Sequence, residues 1–143
     1  MEHELKARAH IFLENYTLKN MIEANTMIIM AERQIRPSFI AYQEKLARLA
    51  LRLQELNADS ELHRSLLDES ITALKKFQKD LQNLKSSVAE AQMIADCTEQ
   101  AFYVGDNVTV CIQALRESAD ALEMLCDAKD WPIPTYSEML FKI

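Results

Sequence analysis

The sequence predicts an all-α protein: an antiparallel bundle of three long helices, the first kinked near Pro37, followed by a proline-containing C-terminal tail. A single glycine, Gly105, serves all 143 residues, whereas tight hairpins, bulged strands and phosphate-cradling loops depend on glycine at strained backbone positions. Leu, Ala, Glu, Lys, Gln, Met and Arg make up most of the chain, and these residues lose least side-chain freedom in a helix. Apolar residues also recur at alternating three- and four-residue steps, the spacing of one helical face. At 49% hydrophobic and 27% charged residues the chain has enough apolar surface to offset its entropy, and its length fits a single helical domain over residues 1–143.

The first helix is expected over about 4–57. Pro37 interrupts its pattern, because proline lacks the amide donor and its ring clashes with the carbonyl one turn back. Beyond the kink at 36–37, Phe39, Tyr42, Leu46, Leu49, Leu53 and Leu56 form one seam. Asn57 can adopt a left-handed helix end, and Asp59 or Ser60 can cap the next helix, expected over about 60–103. Its stripe is Leu62, Leu66, Ala73, Phe77, Leu81, Leu84, Val88, Ala91 and Ala95. A turn is expected at Tyr103–Asn107, where Gly105 can end one helix and Asp106 or Asn107 can begin another. The third helix then runs over about 106–129 on Val108, Ile112, Leu115, Ala119, Leu122 and Cys126. Short turns between long helices make their directions alternate, with Leu49, Leu53, Leu84 and Leu115 in the core. The tail over 131–143 leaves helical geometry at Pro132 and Pro134. Its large apolar side chains Trp131, Tyr136, Leu140 and Phe141 form a candidate docking segment, since exposing each forgoes roughly 1.5–3 kcal/mol.

The net charge of −6 and pI near 5.1 provide no basic footprint for a phosphate backbone, which excludes nucleic acid as the expected partner. The apolar run at Met27–Ala31 is far shorter than the roughly 20 residues of a membrane crossing, and the N-terminus has no signal-peptide pattern. A cytoplasmic protein with no membrane partner is expected. Cys97, Cys111 and Cys126 are odd in number and widely spaced, so they read as buried free thiols and not as a disulfide framework or zinc site.

The sequence predicts no catalytic, cofactor-binding or metal-ligating residue. Glu-x-x-His pairs of the kind that hold metals in helical bundles are absent; His3 and His10 can share a helical face, but both read as solvated, as does His63. A Gly-x-Ser-x-Gly elbow, a P-loop and a Gly-x-Gly-x-x-Gly turn are all missing. Glu2, Glu4, Glu14, Asp68, Glu69 and Asp80 read as a solvated helix surface. Met21, Met27, Met30, Met93 and Met124 read mostly as core filler, and the apolar face near Ile22, Ile28, Ile29 and Ile35 is a candidate docking surface.

Two passages carry a family resemblance. The stretch His3-Glu4-Leu5-Lys6-Ala7-Arg8-Ala9-His10-Ile11-Phe12-Leu13-Glu14-Asn15-Tyr16, continuing through Ile22-Glu23-Ala24 to Ile35-Arg36-Pro37 and Tyr42-Gln43, resembles the segment that follows the catalytic barrel in type III glutamine synthetases. The stretch Leu115-Arg116-Glu117-Ser118-Ala119-Asp120-Ala121-Leu122-Glu123, leading to the Trp-Pro-x-Pro-x-Tyr-x-Glu-x-Leu-Phe cadence of Trp131–Phe141, resembles the end of the same enzymes and is the more specific match. The helix over 60–95 matches only in character. The resemblance implies a parent ligase that makes glutamine from glutamate and ammonia with ATP and magnesium, assembled as a ring-based homo-oligomer in the bacterial cytoplasm. Its catalytic, metal and nucleotide residues lie upstream in the family, so none carries onto a position here. The implied partners are the parent catalytic domain and neighbouring subunits. A free-standing helical or coiled-coil interaction module accounts for the heptad-like seams equally well, though not for the Trp131–Phe141 ending.

Overall fold

The computed structural model describes residues 1–134, and the regular structure among them is entirely helical. Three helical stretches follow one another. The first comprises α1 (Glu2–Met30), a π-helical turn (Ala31–Ile35) and α2 (Arg36–Glu55). The second is α3 (Glu61–Met93). The third comprises α4 (Cys97–Tyr103), a second π-helical turn (Val104–Val108) and α5 (Thr109–Leu125). Among the described residues no helix is long and apolar enough to cross a membrane.

Just before the kink that the sequence predicts at 36–37, the helical hydrogen bonding continues through a wider turn. The Arg36 amide donates to the Ala31 carbonyl, five residues back, and Pro37 occupies the opening turn of α2. The residue without an amide donor thus falls where the hydrogen-bond ladder changes register.

The end of α2 follows from local chemistry. Asn57 is left-handed (φ 54°), the Ala58 amide donates to the Leu53 carbonyl at 2.8 Å and the Asn57 amide to the Gln54 carbonyl at 3.0 Å, the paired bonds of a Schellman ending. Asp59 then accepts the Glu61 amide at 2.9 Å, and Arg64 ties back across the turn to the Gln54 side chain at 2.6 Å.

The next interruption lies at residues 94–96, and not at Tyr103–Asn107 as the position of Gly105 suggests. Asp96 is extended (φ −76°, ψ 125°) and its carboxylate accepts the Glu99 amide at 2.9 Å, while the Gln100 side-chain amide donates to the Ala91 carbonyl, also at 2.9 Å. Both sides of the break are thereby capped. Gly105 instead sits inside the helical stretch. A Cβ there would lie 3.1 Å from the Tyr16 hydroxyl, so glycine at this position serves a close approach, not a chain end.

The residues group into two compact units. In the unit formed by residues 1–29 and 79–117, Ala24, Leu81, Leu84, Val88, Ala91, Ala101, Val104, Val108, Ile112 and Leu115 are buried. Arg116 pairs with Glu23 at 2.5 Å, linking α5 to α1, and the Tyr103 hydroxyl donates to Glu90. In the unit formed by residues 30–78 and 118 onward, Ala31, Ile35, Phe39, Ala50, Phe77 and Leu122 are buried. Here Arg36 donates to the Gln78 side chain at 3.0 Å and Gln43 to Ser70 at 3.2 Å. Lys45 bonds both Asp130 oxygens at 2.7 Å.

The α2 seam needs one correction. Leu49 is 43% exposed and Leu56 76% exposed, whereas Ala50 is buried. At about 100° per residue, Leu49 is turned roughly 80° from Phe39, about 60° of it from the three-residue step to Tyr42 and about 20° from heptad drift, while Ala50 is turned only about 20°. Leu53 is half-buried. Leu62 at the start of α3 is likewise exposed, while Leu84 and Leu115 are buried as expected.

Two outcomes follow for stability. Leu84→Ala and Leu115→Ala should each cost about 2–5 kcal/mol in urea unfolding, against less than about 0.5 kcal/mol for Leu49→Ala; equal losses at all three positions would contradict this burial pattern. Gly105→Ala should gain little, because the helix-propensity benefit of about 1 kcal/mol is opposed by contact with Tyr16. In a Tyr16→Phe background the same substitution should be more stabilising by at least about 0.5 kcal/mol, a coupling readable in a double-mutant cycle.

Candidate functional site

Within the unit formed by residues 1–29 and 79–117, α1 and the start of α4 bring three polar side chains together. His10 and Glu14 are one turn apart on α1, with Nε2 and Oε1 3.2 Å from each other. Cys97, the first residue of α4, adds its thiol, and the three donor atoms all lie within 4.8 Å of one another. His10 and Glu14 are exposed and Cys97 is half-buried. His10 therefore finds a carboxylate at the i+4 position as its neighbour. The pattern His-x-x-x-Glu is visible in the sequence, but the third member comes from 83 residues further on, beyond the reach of local spacing.

Two of the thiols, Cys97 and Cys126, are shifted away from thiolate. Burial pushes the Cys97 thiol up, reinforced by the charges of Glu14 and Asp96. Burial does the same at Cys126, with Asp130 and Asp127 adding to it. A nucleophilic cysteine needs the opposite shift. Cys97, Cys111 and Cys126 are free and half-buried, which corrects their reading as fully buried thiols.

Other sequence-selected residues are placed as follows. His3 is exposed, and His63 is half-buried with no hydrogen-bond partner at Nδ1. Glu2, Glu4, Asp68 and Glu69 are exposed, but Asp80 is buried and partnered. Met21, Met27 and Met30 are half-buried, whereas Met93 and Met124 are each 86% exposed and are not core filler. Trp131 is half-buried, its amide bonded to the Asp127 carbonyl at 3.1 Å. Tyr136, Leu140 and Phe141 lie outside the described residues.

A different surface stands out on α1. Ile11, Leu18, Ile22 and Ile29 are each more than half exposed. With the exposed Asn15 and Asn25 they step by four, three, four, three and four along one face. Ile35, expected on the docking face, is buried instead, and Ile28 is half-buried.

A family model for the glutamine synthetase C-terminal domain matches residues 1–54, which cover α1 and nearly all of α2. A glutamine synthetase of Bacteroides fragilis (strain YCH46) is 30% identical over 146 residues, an alignment covering 98% of this chain and 20% of that protein. A type-3 glutamine synthetase of Dictyostelium discoideum is 24% identical over 144 residues, covering 96% of this chain and 20% of that protein. This chain resembles the C-terminal helical region of a type III glutamine synthetase. A Butyrivibrio fibrisolvens glutamine synthetase adds a match at 29% identity over 98% of the chain, again across 20% of its own length. The chain thus spans about one fifth of the length of the glutamine synthetases it matches.

In the second unit, burial raises the Tyr42 phenol above 10.0, with Cys126, Asp127 and Glu69 adding to the shift. A raised folded-state value means that the contribution to stability is complete below pH 10.0 and is lost as pH rises through the folded value. Tyr42→Phe removes that titration, so urea melts below and above pH 10 should show a smaller alkaline loss in the variant. An unchanged alkaline slope would contradict the assignment.

Proposed function

We propose that this chain serves as the non-catalytic C-terminal helical domain of a type III glutamine synthetase. Its parent would make glutamine from glutamate and ammonia with ATP and magnesium in the bacterial cytoplasm. The segment's task in this reading is packing against the parent catalytic domain and neighbouring subunits of a homo-oligomer. Its helical stretches run antiparallel, with a bend near Pro37, and the Trp131, Tyr136, Leu140 and Phe141 segment docks within that assembly.

The observation that carries the reading is the solvent-facing row Ile11, Leu18, Ile22 and Ile29 on a helix whose other side, at Thr17 and Ala24, is already buried. A helix apolar on more than one face belongs inside a larger packed structure. Similarity over almost the whole chain to enzymes five times its length supplies the natural context for that packing. The same row suits the role of a scaffold, since it offers no group able to stabilise developing charge.

Two measurements test the proposal. The purified 143-residue chain should form no glutamine from glutamate, ammonia, ATP and magnesium; saturable turnover would refute a non-catalytic role. In the parent enzyme, Leu18→Glu with Ile22→Glu should shift sedimentation to smaller species, while Arg48→Glu, on exposed surface of α2, should not. Unaltered assembly of the doubly charged variant would remove the packing role of α1.

A further inference from the structure

We propose that His10, Glu14 and Cys97 form a binding site for a divalent transition metal of the zinc class, fastening α1 to the start of α4. An imidazole nitrogen, a carboxylate oxygen and a sulfur converge here from two helices of one compact unit. Each is a donor type that zinc accepts, and three protein donors with a water in the fourth position is a common open zinc geometry. Sulfur and imidazole together select the borderline metals over magnesium or calcium, which favour sets made only of oxygen.

The geometry needs only small adjustments. With zinc bonds of about 2.0–2.3 Å, tetrahedral donors sit roughly 3.5 Å apart. The His10–Glu14 pair is already at 3.2 Å, and the widest separation, up to 4.8 Å, closes by about 1 Å through rotamer changes. The His10 and Glu14 side chains are 56% and 58% exposed, so they are free to make those changes. Glu14 and the neighbouring Asp96 bring negative charge to the thiol, which attracts a cation. On binding, the thiol gives its proton to solvent and the sulfur coordinates as thiolate, so affinity rises with pH.

The site is independent of the proposed glutamine synthetase context and is testable on the 143-residue chain itself. Cobalt(II) added to the reduced protein should produce a thiolate-to-cobalt charge-transfer band that zinc abolishes and excess magnesium leaves intact. Cys97→Ser should remove the band, Cys111→Ser and Cys126→Ser should retain it, and His10→Ala or Glu14→Gln should weaken zinc affinity at least about tenfold, since even outer-shell groups contribute that much. Zinc should also raise the melting temperature of the parent chain and not that of Cys97→Ser. A band that survives Cys97→Ser, displacement by magnesium, or equal zinc affinity in the His10→Ala and Glu14→Gln variants would overturn the proposal. His10 and Glu14 are exposed and Cys97 is half-buried, so circular dichroism of the metal-free variants should match the parent, and a lost band then reports lost ligation.

Discussion

Every interruption of a helix leaves amides and carbonyls without intrahelical partners, and this chain has to satisfy them without glycine at either of the two helix-to-helix connections among its described residues. Asn57 supplies the left-handed residue at the first, and Asp59 takes up an amide of the helix that follows. At the second, Asp96 caps α4 while Gln100 reaches back to the Ala91 carbonyl. These few polar side chains decide where the long helices stop, and the positions of the buried stripes on α3 and α5 follow from them. The lone glycine is occupied elsewhere, against the Tyr16 phenol.

The helices differ in what they ask of their surroundings. On α3, Phe77, Leu81, Leu84, Val88 and Ala91 form one buried stripe, with exposed Lys79, Gln82, Asn83 and Lys85 between them. Such a helix is complete once a single face is covered. On α1 the apolar residues are distributed around the axis, and its ion pairs Lys6–Glu2 and Arg8–Glu4 are surface contacts of small energetic weight. What organises α1 is therefore packing, of which the structure supplies one side.

Residue type and period made the all-α class and most of the α3 and α5 core legible in the sequence, because both helices hold the 3.6-residue repeat over many turns. The Asn57–Ser60 connection was equally legible, since its signals are local. Gly105 misled because glycine also marks close approach, and nothing local distinguishes that use from a helix end. The better signal was nearby: Asp96-Cys97-Thr98-Glu99 has the cap-x-x-Glu form of a helix start. Leu49 stands off the seam because alternating three- and four-residue steps span a broad stripe, and Leu49 lies at its edge, about 80° from Phe39. The His10, Glu14 and Cys97 cluster was invisible because a motif search limited to Glu-x-x-His passes over a donor delivered by tertiary structure.

The π-helical turn at Val104–Val108 gives this region a memory of length. Such a turn accommodates one residue more than an α-helix does over the same rise, so it behaves as a tolerated insertion. Because the wider turn takes up that residue within itself, removing one residue there would restore an unbroken α-helix and leave the faces beyond it in place. Ile112 and Leu115, buried in the same unit as Ala101, would go on facing the core that Ala101 faces. Substitutions within this turn are constrained one side chain at a time, whereas the loss of one residue is taken up by the turn itself, so homologous chains should differ in length by a single residue more readily there than elsewhere along α5.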